Sequence, residues 1–178
     1  GMIEALMDLE GQYPHLIAPD SPTRRVGSDL TQDLTEVEHT VPVLSLDKEY
    51  DPGRLNRWME KTKAVDPETS FIIEEKIDGT SILLNYSNGV LERAITRGNG
   101  FIGNDVTANV STIQTVPLRL NSPETLTVRG EIFIRRAAFS ELNSRIEIPY
   151  ANARNFAAGC LRRVRSKEVA RLPLEVFI

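Results

Sequence analysis

Glu75-Lys76-Ile77-Asp78-Gly79 carries the residue types needed to attack a phosphate: a lysine after the apolar run Phe71-Ile72-Ile73, an acid two residues on, and a glycine turn behind it. An ammonium is not a nucleophile. Lys76 would need partial burial, or a neighbouring metal or arginine, to favour its neutral amine. If the strand continues, Asp78 lies on the same face, where it would bind a ribose hydroxyl or hold the lysine's rotamer. On these five residues alone, an exposed strand end followed by an Asp-Gly turn is the commoner explanation, because short motifs match by accident. A second constellation is basic. Arg154 and Arg162 are eight residues apart on a predicted helix, slightly over two turns, so both point roughly the same way. Two guanidiniums on one face suit phosphate binding.

The elements that must position these residues mix hairpins with helices. Phe71 to Lys76 is expected as a strand. Thr80 to Tyr86 and Val90 to Thr96 form a predicted hairpin around Ser87-Asn88-Gly89. A short helix is expected over Asp105 to Ile113, with Asn104 or Asp105 as N-cap. A strand over Thr125 to Ile134 and a helix over Ala137 to Asn143 follow. Asn152 to Arg163 and Ser166 to Arg171 read as helical, and Leu174 to Ile178 as a final strand. Towards the N-terminus, residues 3–13 read as an amphipathic helix with Ile3, Leu6, Met7 and Leu9 apolar, ending before Pro14. Residues 14–36 read as an ordered loop. Arg54 to Lys63 reads as a helix whose buried stripe is Leu55, Trp58 and Met59, which makes core packing the expected job of Trp58 rather than base stacking. This order predicts an α+β fold with antiparallel sheets.

Bulk properties narrow the class. The chain has 178 residues, enough for one domain or one with a small appendage. Hydrophobic content of 40% and charged content of 26% are ordinary for a globular protein. A formal net charge of −4 gives no global basic footprint for nucleic acid. Cys160 is the lone cysteine, which rules out an intrachain disulfide and fits a reducing cytoplasm. No apolar run approaches the roughly 18 residues of a membrane span, and Met2 to Asp8 lacks the basic region of a signal peptide. Gly1 is read as a tag remnant ahead of a natural start at Met2. His15 and His39 show no metal-site spacing, so no zinc site is expected, and His39 is expected to position the segment Pro42 to Asp47.

The lysine motif does not stand alone. Downstream come Thr96-Arg97-Gly98-Asn99-Gly100, Gly103-Asn104-Asp105-Val106-Thr107, Val128-Arg129-Gly130-Glu131, and Asn152-Ala153-Arg154-Asn155-Phe156-Ala157-Ala158-Gly159-Cys160-Leu161-Arg162. Upstream come Pro19-Asp20-Ser21-Pro22-Thr23, Arg25-Val26-Gly27 and His39 through Asp47. In this order and spacing they resemble the adenylation domain of bacterial NAD-dependent DNA ligases, over nearly the whole chain. The resemblance implies the antiparallel nucleotidyltransferase core of the DNA ligase and capping-enzyme type. It implies that Lys76 attacks the adenylyl phosphorus of NAD, forms a lysyl-AMP phosphoamide and expels nicotinamide mononucleotide. AMP then passes to a DNA 5′-phosphate, and a 3′-hydroxyl displaces it to seal the nick, in replication and repair. Asp78 joins Lys76 as catalytic. Glu74 matches the acid that reads the adenine amino group, Ser45 and Leu46 match contacts to adenosine, and Gly79 permits close backbone approach. Arg97, in its Gly-flanked loop, would reach the ribose or a phosphate. Glu131 would hold ribose hydroxyls or a metal-bound water, although an acid in a strand is otherwise most simply a solvated residue. Arg154 and Arg162 head a basic segment with Arg163, Arg165 and Lys167 against Glu168, the candidate DNA-facing surface or else a solvated helix. Magnesium would be held largely by substrate phosphates and waters. Nicked double-stranded DNA is the implied partner, with no membrane, a monomeric state and a cytoplasmic location.

The chain departs from the family pattern in places. Asn99 stands where aspartate is usual and Asn104 where glutamate is usual. Cys160 replaces a serine, Ala153 a proline, and Glu75 a proline, the last adding a charge that favours protonated Lys76. Of the clamp helices that grip nicotinamide mononucleotide only the last is matched, by Met2 to Tyr13, and the aromatic that stacks on adenine, two later lysines and the DNA-encircling modules have no counterpart. The expected organisation is therefore a clamp-helix remnant and linking loop over 1–36 and a partial adenylation domain over 37–178, truncated at both ends. Two other readings stay open: a non-enzymatic paralogue that binds nucleotide or a partner, and an ATP-dependent ligase or capping-type enzyme sharing only the lysine motif.

Overall fold

The computed structural model describes residues 1–26 and 34–178. Gly27 of the quoted motif, and residues 27–33 of the loop expected over 14–36, lie outside the described residues. The chain divides into two compact units: Val43–Lys76, and Gly1–Pro42 together with Ile77–Ile178.

In the larger unit the strands among the described residues are Glu36–Glu38 (β1), Thr80–Ser87 (β2), Val90–Thr96 (β3), Ile102–Asn104 (β4), Leu126–Ile134 (β5) and Leu174–Phe177 (β6). Its helices are Met2–Gln12 (α1), Thr107–Val110 (α3), Arg136–Asn143 (α4), Ala153–Leu161 (α5) and Ser166–Val169 (α6), while Pro52–Val65 (α2) belongs to the smaller unit. β2 and β3 join through Asn88 and Gly89 at φ 49° and 77°, the two left-handed positions of a type I′ turn, which the expected Asn-Gly pair supplies. A four-stranded antiparallel sheet follows in the order β3-β2-β5-β6. Period-two alternation turns Ile82, Leu84 and Tyr86 of β2 into the core. There they meet Val106, Val110, Val116, Ile132, Phe156 and Leu161. The short ladder of β1 on β4, centred on Val37 opposite Gly103, was not legible in three residues of Glu-Val-Glu. Among the described residues no helix is long and apolar enough to cross a membrane.

The α+β expectation with antiparallel sheets holds, and most boundaries fall within a residue or two. Three expectations need correction. The helix predicted over Asp105 to Ile113 is one turn, Thr107–Val110, with Val106 in the N-cap position. Asp105 still supplies the side-chain acceptor, taking Thr107 N–H at 2.9 Å and Thr107 Oγ1–H at 2.5 Å. Phe71 to Lys76 is not a strand: the segment has no ladder partner among the described residues, and Ile72 and Ile73 are 86% and 97% exposed. A β-prone run becomes a strand only when a neighbour offers a ladder, and pairing begins at Thr80, opposite Ile132. In the smaller unit, α2 starts at Pro52 behind the Asp51 cap, whose Oδ1 accepts Arg54 N–H at 2.9 Å. Its stripe is not buried as expected: Leu55 and Trp58 are 46% and 56% exposed, and Trp58 instead meets Phe71 with ring centroids 5.5 Å apart. A lone helix with an extended tail offers no second layer against which to cover a stripe.

Candidate active site

The start of β2 gathers residues that lie far apart in sequence. Gly79 is pressed against β5 so closely that a Cβ built on it would lie 2.1 Å from the Ile132 carbonyl oxygen, so only glycine fits. Its backbone N–H and C=O are both held by side chains singled out above. The Gly79 N–H donates to Glu131 Oε1 at 3.2 Å, and the Gly79 carbonyl accepts from Arg154 Nε at 2.9 Å. Arg154 Nε also lies 3.6 Å from Asp78 Oδ1. That ion pair is largely solvent-exposed, so its value is in placing the two groups rather than in stability.

Each partner is delivered by a rigid element. Glu131 sits in mid-β5, paired across the sheet with Ser81 and Phe177. Arg154 is in the first turn of α5, which Asn152 caps by accepting Asn155 N–H at 2.8 Å. The helix is locked in place by Phe156, Ala157, Cys160 and Leu161, all at most 1% exposed. Ala153 occupies the first helical position, where the family's proline is also favoured. Burial pushes the Cys160 thiol up to about 11, which leaves it a packing residue.

Arg97 joins from the other side of β2. Its N–H donates to the Ser81 carbonyl at 3.2 Å, so Arg97, just past the end of β3, and Glu131 of β5 flank Ser81. The loop after it is pinned by Asn99, whose Oδ1 accepts the N–H groups of Phe101 and Ile102, both at 2.9 Å. An aspartate would offer the same acceptor, so Asn99 keeps the loop while dropping a charge. His39 was expected to position Pro42 to Asp47, but its bonds go to this loop. Its N–H donates to the Phe101 carbonyl at 2.8 Å, and its ring Nε2 lies 3.0 Å from the Arg97 carbonyl. A carbonyl only accepts, so Nε2 carries the proton. Nδ1 is then a buried acceptor without a hydrogen-bond partner among the described residues.

The other expected residues are placed differently. Arg162 is not on a common helical face with Arg154, because α5 ends at Leu161 and Arg162 is its exposed C-cap. Glu168 is not a bystander in the basic segment, since its carboxylate takes Arg163 Nη1 at 2.9 Å. Ser45, Leu46, Glu74 and Lys76 belong to the smaller unit, exposed on extended chain outside α2. Asn109 escaped the sequence reading. It is 4% exposed, and its Nδ2 donates to the carbonyls of Leu161 and Arg163 at 2.7 and 2.8 Å. It thereby satisfies helix-end carbonyls on both sides of Arg162. No local pattern signals this, because the partners are 52 and 54 residues away.

As chemistry, the cluster at the start of β2 offers two guanidiniums for phosphates and two carboxylates for hydroxyl or amino donors. That donor set fits a nucleotide. The comparisons point the same way. A family model for the NAD-dependent DNA ligase adenylation domain matches residues 31–178, and one for the DNA ligase-like N-terminal NAD+-binding domain matches residues 1–27. A DNA ligase of Borrelia hermsii (strain HS1 / DAH) is 51% identical over 177 residues, covering 97% of this chain and 26% of the relative. A DNA ligase of Borreliella burgdorferi (strain ZS7) is 52% identical over 175 residues, again 97% and 26%. One from Fervidobacterium nodosum is 45% identical over 181 residues, 99% and 27%. The chain spans about a quarter of the length of these curated relatives.

Proposed function

Since this chain belongs to the family of NAD-dependent DNA ligase adenylation domains, we propose that Lys76 is the nucleophile of a self-adenylation reaction and that the cluster at the start of β2 binds phosphates and hydroxyls of the nucleotide. The observation that carries the reading is the double hold on Gly79, three residues after Lys76, by Glu131 and Arg154. In the proposed step the neutral Lys76 amine attacks the adenylyl phosphorus of NAD+. The new N–P bond replaces the bond from that phosphorus to the nicotinamide mononucleotide phosphate, which leaves, and the amine gives up a proton. The protein's part is to place phosphates and to offset charge at phosphorus.

Arg97 and Arg154 suit the pyrophosphate, and Arg162 a phosphate of the DNA backbone. Asp78 and Glu131 suit ribose hydroxyls. Glu74 suits the adenine amino group, with Ser45 and Leu46 beside the base. Magnesium would neutralise phosphate oxygens. Substrate phosphates and water are its expected ligands, and no protein residue is assigned to it. The whole reaction we propose is AMP transfer to the 5′-phosphate of nicked double-stranded DNA and sealing by the 3′-hydroxyl, by a cytoplasmic monomer. Residues 1–36 would serve as a remnant of the NAD+-clamp helices with its linking loop, and 37–178 as the adenylation portion.

Intact-mass measurement of the full-length protein after incubation with NAD+ or ATP and Mg²⁺ tests this. One AMP adduct from NAD+ alone, absent in Lys76→Ala, is expected. An adduct that survives in Lys76→Ala, or that forms equally from ATP, overturns the assignment.

A further inference from the structure

Glu10 sits where a helix least favours it. It lies in the last turn of α1, where the macrodipole repels a carboxylate, and no basic residue shares that turn. Its two oxygens are nevertheless engaged: Ser21 Oγ donates to Oε1 at 2.5 Å and Thr23 Oγ1 to Oε2 at 2.7 Å. Ser21 is 3% exposed, and its Oγ also accepts Thr23 N–H at 3.3 Å, capping the tight turn Pro22–Arg25. One carboxylate thus grips both hydroxyls of a short strap.

The strap itself is fastened to the body carrying the sheet. Asp20 takes Arg119 through two bonds, at 2.5 and 3.2 Å. The hydrogen bond from Arg119 holds the Asp20 carboxyl below its usual pKa. Arg24 Nη2 donates to Ser111 Oγ at 2.9 Å. Arg25 donates to three carbonyls of the segment after α3: Ser111 at 3.3 Å, Val116 at 2.8 Å, and Ile113. Ser111, Ile113 and Val116 are all buried, and while the Ile113 carbonyl also accepts Val116 N–H at 3.1 Å, the guanidinium serves all three. The sequence boundary falls elsewhere. The NAD+-binding match ends at residue 27 and the adenylation match begins at 31. Residues 20–25 therefore belong to the NAD+-binding segment by sequence and are held by the adenylation portion in space.

We propose that Glu10 is a positioning residue, a latch that fastens α1 and the NAD+-binding segment to the adenylation portion through Ser21 and Thr23. The inference rests on the function proposed above. A latch of this kind acts on the use of NAD+ and not on the later sealing step, which needs no NAD+.

The test uses Glu10→Ala and Glu10→Gln in the full-length protein. Glu10→Ala, which removes both charge-assisted hydrogen bonds, is expected to raise KM for NAD+ in self-adenylation at least about tenfold, the size of one such bond. Its kcat, and its sealing of a nick that already carries 5′-AMP, stay at wild-type levels. Glu10→Gln, which keeps one acceptor, recovers most of the loss. In the 178-residue chain, Glu10→Ala speeds hydrogen exchange of α1 amides and leaves those of Ile82, Leu84 and Ile132 unchanged. Wild-type KM with wild-type α1 exchange overturns the latch. So does an equal loss in NAD+ use, in sealing and in core protection, which is general destabilisation. If the wild type forms no adduct from NAD+, the functional proposal falls, while α1 exchange still decides whether Glu10 fastens the helix.

Discussion

Gly79→Ala is a sharp perturbation of the site, because one methyl strikes backbone rather than a movable side chain. The new Cβ would lie 2.1 Å from the Ile132 oxygen, and side-chain carbons essentially never come within 3.0 Å, so the start of β2 must shift by about 0.9 Å (3.0 − 2.1). That shift carries the peptide held by Glu131 and Arg154, and the neighbouring Asp78, with it. Overpacking of this kind costs about 1–3 kcal/mol of stability, which leaves the protein folded. The larger effect falls on chemistry: a misplacement of about 1 Å costs on the order of 100-fold in rate, or about 2.7 kcal/mol of barrier. Single-turnover adduct formation in the full-length protein at saturating NAD+ measures it, with a thermal melt as the control for folding. A folded Gly79→Ala protein that adenylates within about threefold of wild type, under 1 kcal/mol, would refute the claim that the clamped Gly79 peptide sets the geometry.

Two further predictions concern the support of α5. Asn109→Ala strips the donors from the Leu161 and Arg163 carbonyls. It should lower unfolding stability by about 2 kcal/mol; an unchanged denaturation midpoint would show that water replaces the amide. Cys160 has a folded pKa of about 11, raised by burial from 9.0. Its contribution to stability is complete below about pH 9 and is lost as pH rises through 11. The wild type should therefore lose stability relative to Cys160→Ala across that window, and equal pH slopes in both proteins would show that the thiol is not buried as described.

Legibility followed the range of the interaction. The Asn88-Gly89 turn, the alternation of β2 and the Asn152 cap of α5 are short-range, so the residues that cause them sit beside the structure they cause. Phe71 to Lys76 failed as a strand because a strand is a property of a pair, and the sequence displays only one member. Trp58 failed as a core residue for a related reason: helical periodicity marks an apolar stripe without saying whether a second layer meets it. Arg162 was expected to share a face with Arg154 by spacing alone, but Asn109 captures the carbonyls around it and α5 stops first. His39 looked like a neighbour of the segment that follows it, whereas its ring bonds a carbonyl 58 residues away.

By itself the sequence determined the chemical inventory: a lysine fit for adenylation, an ordered set of motifs, and the family to which they belong. It also singled out Arg97, Glu131 and Arg154 as candidates, without saying to what they are attached. Only the tertiary structure decided that Glu131 and Arg154 close on the N–H and C=O of one residue, Gly79, from 52 and 75 positions away. The reason is that neither contact is encoded locally. The pairing of Thr80 with Ile132 brings Glu131 level with the start of β2, and the buried face of α5 fixes how Arg154 projects. Register and packing are properties of the whole folded unit, and no stretch of the chain holds them alone.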